Sequence, residues 1–175
     1  MRLYNTMSQE KEEFAPVHRY VTMYVCGITP YDTTHLGHAF AYVVFDTLAR
    51  YLQSKGWPVR YAQNVTDIDD DILRKAREVG ENWKELGNRW THRFITDMDA
   101  LNVLRPTYFP RATEEIPRIV DMTRVLLDKG HAYQKAGNVY FSVDSCIRFG
   151  MLSRIPRQEM LPIANQRGNI LKAGG

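Results

Sequence analysis

Cysteine and long apolar runs are scarce in this sequence, and both absences limit what the protein can be. Cys26 and Cys146 are the only cysteines among 175 residues, and they stand far apart. Two such cysteines do not make a disulfide framework, so each is interpreted as a thiol or a ligand. No apolar run is long enough to span a membrane. Residues 1–5 do not open a secretory signal, so we expect a cytoplasmic protein.

A strong excess of charge of one sign is also absent. The formal net charge is +3, and 44% of the residues are hydrophobic and 25% charged. This composition is ordinary for a globular protein and unlike that of a disordered chain. Mild basicity permits contact with the phosphates of ATP or RNA without requiring it. The length predicts one domain, or one domain with a small appendage.

The first part of the chain predicts a strand, a long helix and a second strand. Residues 20–28 (YVTMYVCGI) are rich in β-branched and aromatic residues and end in turn chemistry, which is typical of a buried strand. Residues 34–54 carry apolar side chains at helical spacing, and Gly56 follows them. Residues 58–65 (PVRYAQNV) predict the next strand. Together they predict a right-handed βαβ unit with parallel strands, the opening of an α/β nucleotide-binding fold.

The rest of the chain predicts helices, a hairpin and an irregular tail. The acidic residues of segment 66–71 suit the N-terminus of a helix that runs to about Val79. Further predicted elements are helices at 83–101 and 112–129 and a hairpin in 132–143 around Gly137 and Asn138. Residues 154–175 contain several prolines and glycines and predict an irregular or partly disordered segment.

The segment 23–38 (MYVCGITPYDTTHLGH) carries the clearest chemistry. A strand delivers Cys26 and Gly27 to its carboxyl end, where open α/β sheets bind ligands. His35 and His38 are one helical turn apart, beside backbone amides that attract anions. Gly37 leaves room for a nucleotide against the backbone. These features suit the binding of ATP, because negative charge grows on the pyrophosphate as it departs. Two histidines at this spacing also commonly cap a helix or pack in a core.

The tetrapeptide HLGH resembles the HIGH signature of class I aminoacyl-tRNA synthetases and follows the first predicted βαβ strand. Five segments are similar to cysteinyl-tRNA synthetases, in that family's order and spacing. They are LYNTMSQEKEEFAP (3–16), MYVCGITPYD (23–32), YAQNVTDIDDDI (61–72), DMDALNVLRP (97–106) and RATEEI (111–116).

The resemblance implies a fold and a reaction. The fold would be α/β, the first half of a Rossmann-like (HUP-type) parallel sheet over residues 1–112. Residues 113–175 would begin a connecting region with a small hairpin and an irregular tail. The reaction would activate L-cysteine with ATP and magnesium to cysteinyl-adenylate and transfer it to tRNA(Cys). A zinc ion would bind the substrate thiolate directly, because zinc prefers sulfur to a hydroxyl oxygen.

The resemblance also assigns roles to particular residues. Cys26 would be the first zinc ligand, and His35 and His38 would act on the ATP phosphates. Asp69 and Asp70 match acidic positions that we interpret as helix capping, and we expect Arg111 to form an exposed salt bridge. The residues expected to border the ATP and adenylate are Gly27, Ile28, Thr29, Gly37, Asn64, Val65 and Thr66.

The sequence departs from the family in ways that leave alternatives open. The family's other zinc ligands and its KMSKS loop have no counterpart, and Cys146 does not match a ligand motif. We therefore expect an N-terminal part of the enzyme that is inactive alone and self-associates through the surface left uncovered.

Two other functions stay in view. Phe40 and Ala41 replace the basic or hydroxyl residue that many of these synthetases carry, and CGITPYDTTHLGHA is close to the mycothiol-pathway cysteine ligase. That relative transfers activated cysteine to an amino-sugar. A truncated, non-catalytic paralogue that binds a nucleotide or a partner chain is the third alternative.

Overall fold

The computed structural model describes residues 1–166, with the side chains of residues 164–166 left aside. No helix in this described part is long and apolar enough to cross a membrane. The elements in chain order are β1 (Arg2–Asn5), β2 (Glu10–Glu13), β3 (Val21–Ile28), α1 (Leu36–Ser54), β4 (Val59–Val65), α2 (Asp70–Val79), α3 (Trp83–Ala100), α4 (Ala112–Asp128), β5 (Ala132–Lys135), β6 (Asn138–Phe141), a 3₁₀ turn (Val143–Ser145) and α5 (Arg157–Gln166).

The centre of the fold is a parallel sheet, which confirms the predicted fold class. Strand β3 pairs in parallel with β4, from Val21 opposite Val59 to Ile28 opposite Val65, and α1 connects the two strands. The chain at 107–111 continues the sheet on the other side of β4. There the Gln63 backbone N–H donates to the Tyr108 carbonyl at 3.0 Å.

The core lies on one face of this sheet because the side chains of β4 alternate. Tyr61, Gln63 and Val65 are buried, whereas the residues between them are less so. Helices α1 and α3 cover that face, and the Tyr42 and Phe94 rings meet edge to face with their centroids 5.1 Å apart. The buried residues of the cluster are Val25, Ile28, Tyr42, Tyr61, Val65, Phe94 and Met98.

The acidic segment after β4 caps α2, as predicted. The Asp69 carboxylate accepts a hydrogen bond from the Ile72 backbone N–H at 2.8 Å. Asp70 and Asp71 lie in the first turn, where negative charge interacts favourably with the helix dipole. Gly80 ends the helix in the left-handed conformation, with φ 67°.

The chain divides into two compact units, and the sequence-based boundary at residue 112 stays a prediction. One unit is Ala15–Val120, and the other joins Met1–Phe14 to the chain from Asp121 onward. In the second unit, the Arg154 guanidinium donates to the Gln9 side chain and to the Met7 carbonyl. The N-terminal hairpin therefore belongs with later residues, a contact that sequence order does not reveal.

The second unit contains two antiparallel hairpins, β1–β2 and β5–β6. The β5–β6 hairpin was predicted, and it turns at Ala136 and Gly137, which both have positive φ. The prediction of an irregular tail is wrong for α5, because the run Arg157–Leu161 has strong helix formers that outweigh Pro156 and Pro162. The rest of that prediction, residues 167–175, lies outside the described residues.

Candidate active site

The carboxyl end of β3 lies against β4 so closely that Gly27 leaves no room for a side chain. A Cβ atom on Gly27 would lie 1.5 Å from the Asn64 carbonyl oxygen. The Gly27 N–H donates to the Asn64 side-chain oxygen at 2.9 Å, and the Tyr24 hydroxyl donates to the same oxygen at 2.8 Å. The Asn64 amide nitrogen in turn donates to the Thr66 hydroxyl at 3.2 Å. Gly27, Asn64 and Thr66 thus form one hydrogen-bonded edge at the strand ends.

His35 and His38 cap the N-terminus of α1 reciprocally. The Gly37 N–H donates to His35 Nδ1 at 3.1 Å, and the His35 N–H donates to His38 Nδ1 at 3.5 Å. Their rings stack with centroids 3.9 Å apart. Because each Nδ1 is an acceptor, each neutral ring carries its proton on Nε2. The cap therefore does not use Nε2 of either ring, so the structural and functional interpretations of the pair are compatible.

The environment of His38 favours the neutral ring that this cap needs. Partial burial, and secondly the neighbouring His35, lower the pKa of His38 below its ordinary value. A histidine whose pKa is lowered by folding binds its proton more readily in the unfolded chain. The stability that it contributes is therefore present above the ordinary histidine pKa and is lost as the pH falls through the folded pKa.

Five of the predicted residues line one cavity of about 500 Å³: Gly27, Ile28, Thr29, His35 and His38. Its wall also contains residues that were not predicted, namely Tyr31, Asp32, Thr33 and Asp71. Asp32 stands inside the MYVCGITPYD segment, so the sequence carried a signal for it. The cavity combines a helix N-terminus and two imidazole donors with carboxylates, groups suited to a phosphate chain and to its hard cation.

The remaining predicted residues are not among those that line this cavity. Cys26 is exposed and directly precedes Gly27, and its carbonyl accepts a hydrogen bond from the Tyr42 hydroxyl at 3.1 Å. Asn64 and Thr66 support the strand end, as described above. Val65 is fully buried in the core cluster, so its side chain does not border the cavity. Gly37 is exposed at the first turn of α1.

Arg111 does not form the exposed salt bridge that the sequence predicted. Its guanidinium lies 3.5 Å from the Asp67 carboxylate and 2.6 Å from the Asn88 side-chain oxygen, and Asp67 is only 5% exposed. The same carboxylate accepts hydrogen bonds from the Thr113 N–H at 2.9 Å and from its hydroxyl at 2.7 Å. Asp67 therefore caps α4 from a distant part of the chain, and sequence analysis missed it because its partner Thr113 is 46 positions away.

The residues that the structure describes do not by themselves make a zinc site. Nowhere between residues 1 and 166 do three or more His, Cys, Asp or Glu side chains come together as a metal-holding group. Cys26 offers one thiol, whereas a tetrahedral zinc site takes at least three protein ligands.

Comparison with known proteins shows which family the chain belongs to. Residues 13–173 match the family described as the class I (C) tRNA synthetase catalytic domain. The chain belongs to this family. Its predicted membership is thereby confirmed.

Curated relatives of this synthetase chain are named as cysteine–tRNA ligases. Those of Cronobacter sakazakii, Serratia proteamaculans and Salmonella newport are each 47% identical over 156 residues. The match covers 88% of this chain and 34% of each relative, so the chain spans about a third of their length.

Solved structures support the fold of the synthetase chain. Two structures of methionyl-tRNA synthetase from Mycobacterium tuberculosis, both with methionyl-adenylate, align with TM-scores of 0.58 and 0.59. They are 23% and 22% identical, over 65% and 68% of this chain and 23% of each structure. At this identity the likeness establishes the Rossmann-type fold alone.

Proposed function

We propose that this chain forms the first half of a site that activates L-cysteine with ATP and magnesium to cysteinyl-adenylate. In the whole protein, the activated cysteine would then pass to tRNA(Cys). One observation carries the proposal: the two histidines of the HLGH segment line one cavity with Gly27, at the N-terminus of α1, in a chain 47% identical to cysteine–tRNA ligases.

The geometry supports a positioning mechanism. A carboxylate oxygen of cysteine attacks the α-phosphorus, and the bond from that phosphorus to the pyrophosphate oxygen breaks. The attacking carboxylate is already ionised at neutral pH, so no general base is required. Negative charge grows on the departing pyrophosphate, where the Nε2–H groups of His35 and His38 and the first amides of α1 would donate to it.

Gly27 and Asn64 would hold the neighbouring wall for the cysteinyl group. Position 27 requires glycine, because a Cβ there would lie only 1.5 Å from the Asn64 carbonyl oxygen. The Gly27 N–H is held by its hydrogen bond to the Asn64 side-chain oxygen. Cys26 stands next to this wall with an exposed thiol. The proposal includes a zinc ion with Cys26 as one of its ligands. The other ligands that zinc requires would come from outside the described residues.

Two molecules are candidates for the acceptor of the activated cysteine, tRNA(Cys) and an amino-sugar. The segment CGITPYDTTHLGHA, followed by Phe40 and Ala41, resembles the mycothiol-pathway ligase, and Phe40 is 74% exposed at the start of α1. An amino-sugar is therefore the alternative acceptor. The named relatives favour tRNA(Cys).

A chimera tests the proposal. In it, the matched 156-residue segment of the Cronobacter sakazakii ligase is replaced by the corresponding residues of this chain. We expect ATP–pyrophosphate exchange that depends on cysteine and is much weaker with serine, and charging of tRNA(Cys) rather than of an amino-sugar. The 175-residue chain assayed alone should give no exchange, because each missing transition-state donor costs roughly 10²–10³ in rate.

The parent ligase is the positive control for the chimera. A folded chimera without exchange would contradict the proposal and favour a non-catalytic paralogue. Exchange together with transfer to the amino-sugar alone would support the activation step and show that the acceptor is the amino-sugar instead of tRNA(Cys). Exchange by the 175-residue chain alone would overturn the half-site assignment.

A further inference from the structure

Strand β3 contains a bulge at the place where it reaches the candidate active site. The register of β3 against β4 shifts between Val25 and Ile28, so that two residues, Cys26 and Gly27, stand opposite the single residue Asn64. A bulge disturbs the ladder locally and redirects neighbouring side chains, and bulges are common next to active sites. Gly27 lines the cavity of the candidate site. The conformation of the bulge therefore shapes the wall of that cavity.

Side chains hold both ends of the peptide unit that joins Cys26 to Gly27. Its carbonyl accepts a hydrogen bond from the Tyr42 hydroxyl at 3.1 Å. Its N–H donates to the Asn64 side-chain oxygen at 2.9 Å. Because a peptide unit is planar and stiff, these two bonds together fix its orientation. That orientation sets the direction in which the Cys26 side chain leaves the strand and the place of the Gly27 backbone in the cavity wall.

The hydroxyl that holds the carbonyl end is firmly placed. Tyr42 is 4% exposed, and its ring meets the Phe94 ring edge to face in the core. Tyr42 is not among the residues that line the cavity beside the two histidines. Its hydroxyl therefore acts on that cavity through the Cys26 carbonyl rather than by touching what the cavity binds.

An exposed tyrosine orients the side chain that holds the N–H end. The Tyr24 hydroxyl donates to the same Asn64 oxygen at 2.8 Å, and the Asn64 amide nitrogen donates to the Thr66 hydroxyl at 3.2 Å. These two bonds keep the oxygen of the Asn64 amide facing Gly27. Tyr24 is 66% exposed, so water competes for its hydroxyl and its contribution is the smaller one.

We propose that Tyr42 is a positioning residue of the cysteine-activating site, and that Tyr24 assists it through Asn64. The two hydroxyls hold the bulged Cys26–Gly27 peptide in the orientation that receives the cysteinyl group. This role rests on the proposed function, because it concerns the same site. Loss of either hydroxyl should weaken the binding of cysteine and not that of ATP, because the proposed phosphate donors, the HLGH histidines and the first amides of α1, are not part of this peptide.

Tyrosine-to-phenylalanine changes test the role, since each removes one hydroxyl and keeps the ring. In the chimera, Tyr42→Phe should raise the KM for cysteine in ATP–pyrophosphate exchange about two- to tenfold, the usual effect of one net hydrogen bond. The KM for ATP should stay unchanged. Tyr24→Phe should raise the KM for cysteine by less. An unchanged KM for cysteine in Tyr24→Phe would remove Tyr24 from the proposed role.

Tyr61→Phe is the matched control. Tyr61 belongs to the same core cluster as Tyr42, and its hydroxyl donates to the Gln63 side-chain oxygen at 2.9 Å, so the change also removes one buried hydrogen bond. It should leave both KM values of the chimera unchanged. The positioning role of Tyr42 would be overturned by an unchanged KM for cysteine in Tyr42→Phe, by an equal rise for cysteine and ATP, or by the same rise in Tyr61→Phe.

Hydrogen–deuterium exchange of the Gly27 amide tests the same anchoring without activity. In the ¹⁵N-labelled 175-residue chain, Tyr42→Phe should speed it about two- to tenfold relative to Tyr61→Phe, because a peptide held at one end can turn its N–H away from Asn64. Equal rates in the two variants would overturn the positioning role. If Tyr42→Phe does not fold, Tyr24→Phe at its exposed position provides both readouts, and no change in either would overturn the role.

Failure of the proposed function would look different from failure of the positioning role. A folded chimera with Tyr42 intact that gives no pyrophosphate exchange contradicts the proposed function. The Gly27 amide still decides in that case whether the Tyr42 hydroxyl holds the peptide. An active chimera in which Tyr42→Phe matches Tyr61→Phe contradicts the positioning role alone.

Discussion

The histidines of the HLGH segment cap helix α1 and are proposed to bind the departing pyrophosphate. Substitutions can separate these two roles. Position 35 is an N-cap, where Asn serves well, and position 38 is the third helical residue, where Gln completes a capping box. The cap needs only an acceptor at each position. Binding of a departing pyrophosphate needs the imidazole Nε2–H. Substitutions can therefore keep the first property and remove the second.

We predict that the pair His35→Asn and His38→Gln leaves the free energy of unfolding of the 175-residue chain within about 0.5 kcal/mol of wild type. The pair His35→Ala and His38→Ala should lower it by roughly 1–2 kcal/mol, because the helix loses its cap. Urea unfolding measures both. In the chimera, both pairs should reduce cysteine-dependent exchange alike. Undiminished exchange by the chimera with His35→Asn and His38→Gln would show that the two histidines have only a structural role.

Gly27 provides a steric prediction at the same scale. Gly27→Ala should lower the free energy of unfolding by roughly 2–4 kcal/mol, because its Cβ would overlap the Asn64 carbonyl and push β3 from β4. Gly87→Ala is the matched control within α3, since its Cβ would lie 3.7 Å from the Asp67 carbonyl, an ordinary contact. That change should stabilise by about 0.4–1 kcal/mol. Similar unfolding midpoints for the two variants would contradict the close approach of the strands.

At the scale of elements, helix α4 depends on a carboxylate that is distant in sequence. Asp67→Ala should lower the free energy of unfolding by about 1–3 kcal/mol, because the Thr113 N–H and hydroxyl lose their shared acceptor and Arg111 loses its counter-charge. Asp121→Ala, on the exposed part of the same helix, should change it by less than about 0.5 kcal/mol. Equal effects in denaturant unfolding would show that Asp67 is not a cap.

The elements with strong local patterns could be predicted from the sequence. Strand β3, helix α1 and strand β4 follow from apolar periodicity and the glycine after the helix, and they place Gly27 and the HLGH segment together. Hairpin β1–β2 was not predicted, because its strands are almost entirely exposed and lack apolar alternation. Helix α5 is not predicted, because Pro156 and Pro162 indicate irregular structure in a segment that also contains strong helix formers. The Asp67 network depends on contacts between distant residues, which periodicity does not encode.

At the scale of the whole molecule, exposed apolar side chains predict self-association of the 175-residue chain. Leu36 and Phe40 are 88% and 74% exposed at the start of α1. Exposed apolar patches favour contact with a second surface. Light scattering should show a mass that grows with concentration, and Phe40→Lys should reduce this growth. Val79→Lys, at a half-exposed position on α2, is the control. A monomer at high concentration would contradict this prediction.

The central claim is that Cys26 stands at the proposed cysteine-activating site, whereas Cys146 does not. Cys26→Ser and Cys146→Ser make the same chemical change at the two cysteines of the sequence. The decisive measurement is cysteine-dependent ATP–pyrophosphate exchange by the chimera carrying each variant, with zinc content measured alongside. We predict that Cys26→Ser lowers exchange by about 10²-fold or more and lowers zinc content. Cys146→Ser should leave exchange within about twofold of wild type. Undiminished exchange and zinc in Cys26→Ser, or an equal loss in both variants, would contradict the account.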